Sequence, residues 1–339
     1  MDPAQQQVSQ LVNGFWAAQV ACAAASLSLP DHLAKGPMEV ERLAEASGAH
    51  APSLRRLLRA MVSLGLCSQT EDGRFRLTEA GGYLRADVPG SIRGRALFTG
   101  DMLWKQFGDL THQVKTGGRT QQVVSGAEGF ETLKNDPPRL HAFQQAMAES
   151  SRMAARAALG VYDFGRFAGV LDLGGGYGGV LGEVLSANPR QTGVVFDLPY
   201  LEAGARAYLQ GVGVGDRAQF MGGSFFETVP SGFELIVMKF IVHDWGDEEA
   251  SAILAKAREA ADATTTLVLL EQVIPDVIEI SADHQAAIRA DLTMMGMGGK
   301  ERTAEEYRTL LAEAGWRLEQ IIPTAGAPSV IECGVADGA

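Results

Sequence analysis

The 339-residue sequence predicts an α/β fold: a doubly wound, Rossmann-like domain preceded by a helical, winged-helix-like one. Three observations carry this reading. Four apolar, β-branched-rich runs (VLDLGG, TGVVFDLP, FELIVMKFIVH and TTLVLLEQVI) alternate with helical segments after residue 165, as strands buried on both faces do. The glycine-rich turn LDLGGGYGG closes the first of them. Before residue 100, two amphipathic helices lead into a hairpin. A chain of this length exceeds one ordinary core, and it divides by pattern into 1–100, 101–165 and 166–339.

The elements follow in order. The Ala-rich stretch from Phe15 to Leu29 is interrupted by Gln19, Ser26 and Ser28, which predicts a buried amphipathic helix and not a membrane span. MEVERLAEASG is a short helix ending at Gly48. In APSLRRLLRAMVSLGL, the residues Leu54, Leu57, Leu58, Met61 and Val62 recur at helical spacing, with Pro52 in the first turn. SQTEDGRFRLTEAG turns at Asp72-Gly73 and then alternates, a hairpin signal. Arg55, Arg56 and Arg59 would form a recognition face if this winged helix bound DNA. A net charge of −12 favours a solvated or dimer-facing surface instead. Residues 101–165 add helix, with loop signals at GGRT and NDPPR. Further on, DEEASAILAKAREAA is helical. TAEE at 303–306 caps the helix TAEEYRTLLAEAG, which Gly315 closes. WRLEQIIP and PSVIECGVA form an antiparallel pair.

Composition narrows the class of function. Apolar residues at 46% and charged residues at 21% suit a soluble globular protein, and the acidity disfavours nucleic acid or an anionic membrane as partner. The start MDPAQQQVSQ lacks a basic n-region, so a cytoplasmic location is expected. Cys22, Cys67 and Cys333 are odd in number and widely spaced, which predicts reduced, buried thiols.

The glycine turn poses a choice of cofactor. Gly174, Gly176 and Gly179 satisfy the spacing of a nicotinamide-binding turn, with Asp197 following about 20 residues on. Asp172, however, would repel a diphosphate. Asp172 and Asp197 end successive strands and point into one crevice. An ammonium and a ribose suit both carboxylates. S-adenosylmethionine has both groups, and its carboxylate can take helix N–H donors. A turn that only packs helix on strand is the plainer alternative.

Here the residues resemble a family. The chain is similar to the O-methyltransferases typified by plant caffeic acid and acetylserotonin methyltransferases and their bacterial natural-product relatives. The resemblance runs in order, nearly full length, through LDLGGGYG, VVFDLP, GSFFETVP, MKFIVHDWGDEE, LLEQVIP and GGKERT. It implies a class I methyltransferase domain over 166–339, a winged-helix dimerisation domain over 1–100 and a helical lid region over 101–165. It implies cofactor contacts at Gly174, Asp197, Ser224, Phe225 and Lys239, to which the neighbouring Asp172, Gly176 and Leu198 are added. It implies a base at His243 framed by Glu271 and Glu301. Ser224 stands where many relatives carry an aspartate, and Tyr177 where a smaller residue is common.

The chemistry of these residues can be argued separately. His243 follows an apolar run and precedes Asp244-Trp245 in a turn, at the functional end of such a strand. The other histidines (His32, His50, His112, His141 and His284) show no ligand spacing and no Cys/His pair suggests zinc, so a metal-free mechanism is expected. His243 would take the acceptor's proton while its oxygen attacks the sulfonium methyl. A phenol and a histidine differ by about 3.5 pKa units, roughly 5 kcal/mol. Carboxylates at Glu271 and Glu301 would narrow that gap by stabilising imidazolium. Asp244 is either a partner of the ring or a turn residue. Phe143 and Met147 share a helical face, and Met294 and Met295 precede GGKERT. With Trp104 or Phe107 they are either core or the walls of a pocket for an aromatic ring.

The resulting expectation is O-methylation of an aromatic small molecule, at a phenolic hydroxyl, in natural-product biosynthesis by a homodimer. A relative that has lost methyl transfer, a DNA-binding regulator and a nicotinamide reductase stay open as alternatives.

Overall fold

The computed structural model describes residues 2–120 and 134–336. It separates into two compact units, Met1–Gly108 and Asp109–Ala339, so residues 101–165 fall partly in each.

The first unit begins with α1 (Pro3–Ser26), capped by Asp2, and α2 (Leu29–Leu33). Then come α3 (Val40–Ser47), α4 (Ala51–Ser63) and the antiparallel hairpin of β1 (Cys67–Gln69) and β2 (Phe75–Leu77). Met38 bridges Phe75, adding a third edge to the wing. Leu54, Leu58 and Met61 from one face of α4 are buried with Leu43, Cys67 and Phe75, which is the winged-helix core expected from the pattern. Arg55 on the outer face pairs with Glu41. Four short helical segments complete the unit: α5 (Glu79–Gly82), α6 (Arg93–Phe98), a π-helical turn at Thr99–Leu103, and α7 (Trp104–Gly108).

The second unit opens with α8 (Leu110–Thr116) and α9 (Pro137–Leu159). Its sheet comprises β3 (Gly169–Leu173), β4 (Thr192–Asp197), β5 (Ala218–Gly222), β6 (Leu235–Lys239), β7 (Thr266–Glu271), β10 (Trp316–Thr324) and β11 (Gly326–Val335). Their spatial order is β10-β11-β7-β6-β3-β4-β5. The first five are parallel, while β11 runs antiparallel to β7 and to β10. The strand order reverses between β3 and β6, which opens a crevice beyond the carboxyl ends of β3, β4 and β6. The helices α10 (Gly179–Ala187), α11 (Glu202–Gly211), α12 (Asp247–Glu259), α13 (Ala282–Met297) and α14 (Ala304–Glu313) follow the strands. A two-residue parallel pair, β8 (Val273–Ile274) with β9 (Arg302–Thr303), lies outside the sheet.

Two expectations are corrected. The run FELIVMKFIVH is not one strand: β6 stops at Lys239, Phe240 turns to a positive φ, and His243 sits in a 3-10 turn. β5 is an added strand, a short edge with only Ala218 and Phe220 buried, too few for a visible apolar run. Among the described residues, no helix is long and apolar enough to cross a membrane.

Candidate active site

The glycine turn is built from backbone that other residues adopt poorly. Gly174, Gly176 and Gly178 all have φ between 57° and 84°. A Cβ on Gly174 would lie 2.5 Å from Ile241, and one on Gly176 would lie 2.6 Å from Gln144 Oε1. Gly179 serves packing instead. Its bare Cα lets α9 approach, since a Cβ there would meet Ala148 O at 2.5 Å. The glycines therefore hold an open turn on one side and a close helix contact on the other.

Both strand-end carboxylates are engaged with this turn. Asp197 Oδ2 accepts from Gly176 N at 2.7 Å, and Oδ1 accepts from Leu198 N at 2.7 Å. Burial raises its pKa, and those two amides oppose the rise. Asp172 is buried, and its Oδ2 accepts from Leu181 N in the first turn of α10. Burial pushes it up to about 7, helped by the charge of Asp197 and opposed by the Leu181 amide and Lys239. Asp172 thus anchors the helix to the strand. Phe225 reaches over Gly174, 3.4 Å from where its Cβ would be, and packs edge-on to Trp245. Ser224 Oγ accepts from Phe226 N, a turn-holding contact within its own loop. Lys239 ends β6 with its Nζ 3.5 Å from Ser150 Oγ. Burial lowers its pKa to about 8, against the charges of Glu271, Asp244 and Asp172. Tyr177 is buried, with its hydroxyl 3.3 Å from His141 Nδ1.

The four expected catalytic residues converge. His243 Nδ1 lies 2.9 Å from Glu301 Oε1 and 3.8 Å from Glu271 Oε2, while Nε2 lies 3.5 Å from Asp244 Oδ1. Glu271 ends β7 and Glu301 immediately precedes β9. The pairing of Val273 with Arg302 therefore draws the two acids together across 30 residues of sequence. Glu271 Oε1 accepts from Ile241 N and Val242 N, which pins the His243 turn to the sheet. Burial works against a charged imidazole here, yet Glu271, Asp244 and Glu301 outweigh it and lift His243 to about 9. Burial raises Glu271 to about 7, and the positive ring partly opposes that. Burial likewise raises Asp244.

The turn has a further clamp that sequence reasoning missed. Arg302 is fully buried, donating to Val242 O at 3.1 Å, to Trp245 O at 3.0 Å and to Asp247 Oδ1 at 2.8 Å. It grips the backbone on both sides of His243. The resemblance singles out GGKERT for Glu301 alone, and arginine is ordinarily exposed, so nothing there announced a buried guanidinium. Spacing also suggested no metal-ligand cluster, whereas the fold brings ligand-type atoms of His243, Glu271 and Glu301 within 4.8 Å of one another. The second carboxylate oxygens of Glu271 and Glu301 are buried without hydrogen-bond partners.

The acceptor candidates divide by unit. Phe143 and Met147 lie on α9, whose Gln144 covers the glycine turn. Met294 and Met295 lie in the last turn of α13, and their carbonyls accept from Gly299 N and Gly298 N in the turn leading to Glu301. Trp104 and Phe107 belong to the first unit, on α7.

Comparison with known proteins identifies the family. The O-methyltransferase domain family matches residues 107–317, and the O-methyltransferase dimerisation domain matches residues 9–87. The chain belongs to the O-methyltransferase family. Among its relatives, phenazine O-methyltransferase PhzM of Lysobacter antibioticus is 35% identical, over 95% of this chain and 94% of its own. The 8-amino-8-demethylriboflavin N,N-dimethyltransferase of Streptomyces davaonensis is 33% identical over 92% and 90%. A solved O-methyltransferase of neocarzinostatin biosynthesis, NcsB1, superposes with a TM-score of 0.83 at 32% identity, covering 94% of this chain and 95% of that one. It was crystallised with S-adenosylmethionine and 2-hydroxy-5-methyl naphthoic acid. In this family member the glycine turn, the two strand-end aspartates and the His243 cluster occupy one end of one sheet.

Proposed function

We propose that this O-methyltransferase moves the methyl of S-adenosylmethionine to a phenolic hydroxyl of an aromatic small molecule of a natural-product pathway, with His243 as general base. The observation that carries the reading is His243 itself. With Nδ1 hydrogen-bonded to a carboxylate, a neutral ring keeps its proton on Nδ1 and its lone pair on Nε2.

The residues of the turn fit the cofactor. A Cβ at Gly174 or Gly176 would fill the cradle, and Asp197 is fixed at the end of β4 where a ribose diol would meet it. Asp172 is proposed to face the ammonium of the cofactor's amino-acid end, as Asp197 faces the ribose. When bound, S-adenosylmethionine would supply an electrophilic sulfonium methyl for the acceptor oxygen, with S-adenosylhomocysteine as the leaving group. His243 Nε2 receives the hydroxyl proton. Glu301 and Glu271 hold the ring and favour its charged form, which narrows the mismatch between phenol and imidazole. Asp244, near Nε2, stabilises the same charge. Phe143, Met147 and Met294, all of the second unit, are proposed to line the acceptor's ring.

A homodimer is part of the proposal. Val8, Leu11, Val12, Phe15 and Trp16 recur at helical spacing along α1 and are exposed in the single chain. The stripe lies within the span matched by the dimerisation domain, apart from Val8, which adjoins it.

Calorimetry tests the cofactor. S-adenosylmethionine is expected to bind and NAD to show no heat; tight NAD binding would overturn the proposal.

A further inference from the structure

Phe240 is strained where strain is unnecessary for a loop. Its φ is 52°, and Ser28 is the other non-glycine residue in the left-handed region among the described residues. A bulky side chain there is an outlier, and such strain persists only where surrounding structure enforces it. The backbone is enforced by the Phe240 amide, which donates to Leu270 O on β7 at 3.1 Å. The consequence is where the ring goes. It stacks on the His243 imidazole, centroids 4.9 Å apart and planes 15° from parallel. The Lys239 ammonium sits over the same ring, 4.2 Å from its centroid.

We infer that Phe240 is a positioning residue, whose strained backbone aims one aromatic ring to lock the plane of His243 and to seat Lys239. The inference rests on the proposed role of His243 as base. A flat ring against the imidazole forbids the rotation that would swing Nε2 away from an acceptor. The negative face of the ring also favours the charged imidazole. Burial opposes that preference, and the carboxylates Glu271, Asp244 and Glu301 set the larger part of it; Tyr307 on α14 interacts with both glutamates, and the Lys239 ammonium lies over the Phe240 ring. A glycine or an alanine here would lose the ring equally, but only glycine relaxes the backbone.

Four variants of the full chain test this: Phe240→Leu, Phe240→Trp, Phe240→Ala and Phe240→Gly. Phe240→Leu keeps bulk without a π face. On the alkaline plateau, where His243 is unprotonated in every variant, it is expected to lower kcat about three- to tenfold, the scale of one ring–cation contact, with the acceptor KM little changed. It is also expected to lower the His243 pKa in NMR titrations of histidine-labelled protein, assigned by the missing signal of His243→Asn. Phe240→Trp should restore both. Phe240→Gly should melt above Phe240→Ala while sharing its low kcat. A wild-type pKa and kcat in Phe240→Leu would overturn the inference, as would Phe240→Ala melting at or above Phe240→Gly. If the wild-type protein transfers no methyl group, the proposed function fails, and the titration and melting comparisons still decide the role of Phe240.

Discussion

His243 Nδ1 and Glu301 Oε1 are 2.9 Å apart, and in the proposed mechanism that contact leaves Nε2 to meet the acceptor. A carboxylate on Nδ1 fixes the tautomer and the orientation together. His243→Asn is therefore expected to lower the rate by about 10²–10⁴, the usual worth of a general base. Cofactor affinity by calorimetry should stay near that of the parent, because the imidazole serves the acceptor side. Glu271→Gln should fall less, since the ring remains. Full activity in a folded His243→Asn protein would point to an acceptor that ionises unaided.

The pH dependence follows from the sign of the His243 shift. The base must be unprotonated to act, and its pKa is lifted to about 9, so kcat/KM should climb from neutrality toward pH 9. Glu301→Gln removes one of the charges that lift it, so the ascending limb should move to lower pH. Stability runs the other way. A raised histidine pKa contributes stability fully present below the unfolded value near 6.5, and that contribution is lost as pH rises through about 9. A rate profile flat from pH 6 to 9 would contradict the assignment.

Asp197→Ala should weaken S-adenosylmethionine binding by about 1.5–3 kcal/mol, the worth of charged hydrogen bonds to a diol. The same change frees the amides of Gly176 and Leu198. Thermal melting without ligand separates a disturbed turn from a lost contact. An unchanged dissociation constant would remove Asp197 from the site.

The stripe on α1 predicts a dimer in light scattering at micromolar concentration. Leu11→Glu with Phe15→Glu should shift it toward monomer, since both side chains are exposed in the single chain and would be buried by a partner. A monomeric parent protein would count against the proposed homodimer.

Addition of EDTA during turnover is expected to leave the rate unchanged. In the proposed tautomer the proton of the Nδ1···Oε1 hydrogen bond sits on Nδ1, where a metal would need the lone pair. A chelator-sensitive rate restored by one divalent ion would instead assign His243, Glu271 and Glu301 as its ligands.

Much of this fold is legible in sequence because parallel strands buried on both faces write themselves as apolar runs, as β3, β4, β6 and β7 do. The acids of the site are legible through family resemblance and through position at strand ends. What stays hidden depends on three-dimensional pairing. Glu271 and Glu301 meet through the β8–β9 pair, two residues long and below any periodic signal. Arg302 is buried by the carbonyls it satisfies, against the ordinary habit of arginine. The positive φ of Phe240 has no signature in residue type, since aromatic residues avoid that region. Asp172 reads in sequence as facing a ligand, and its bond to Leu181 N gives it an internal duty as well.

The most direct test of His243 as the base of an O-methylation is mass spectrometry of a phenolic aromatic acceptor. The acceptor is incubated with methyl-labelled S-adenosylmethionine and either the parent protein or His243→Asn. The expected result is one labelled methyl group on the acceptor oxygen with the parent, formed at a rate at least about a hundredfold lower with the variant. An acceptor that gains no methyl, gains it on nitrogen alone, or gains it equally fast with both proteins would contradict it.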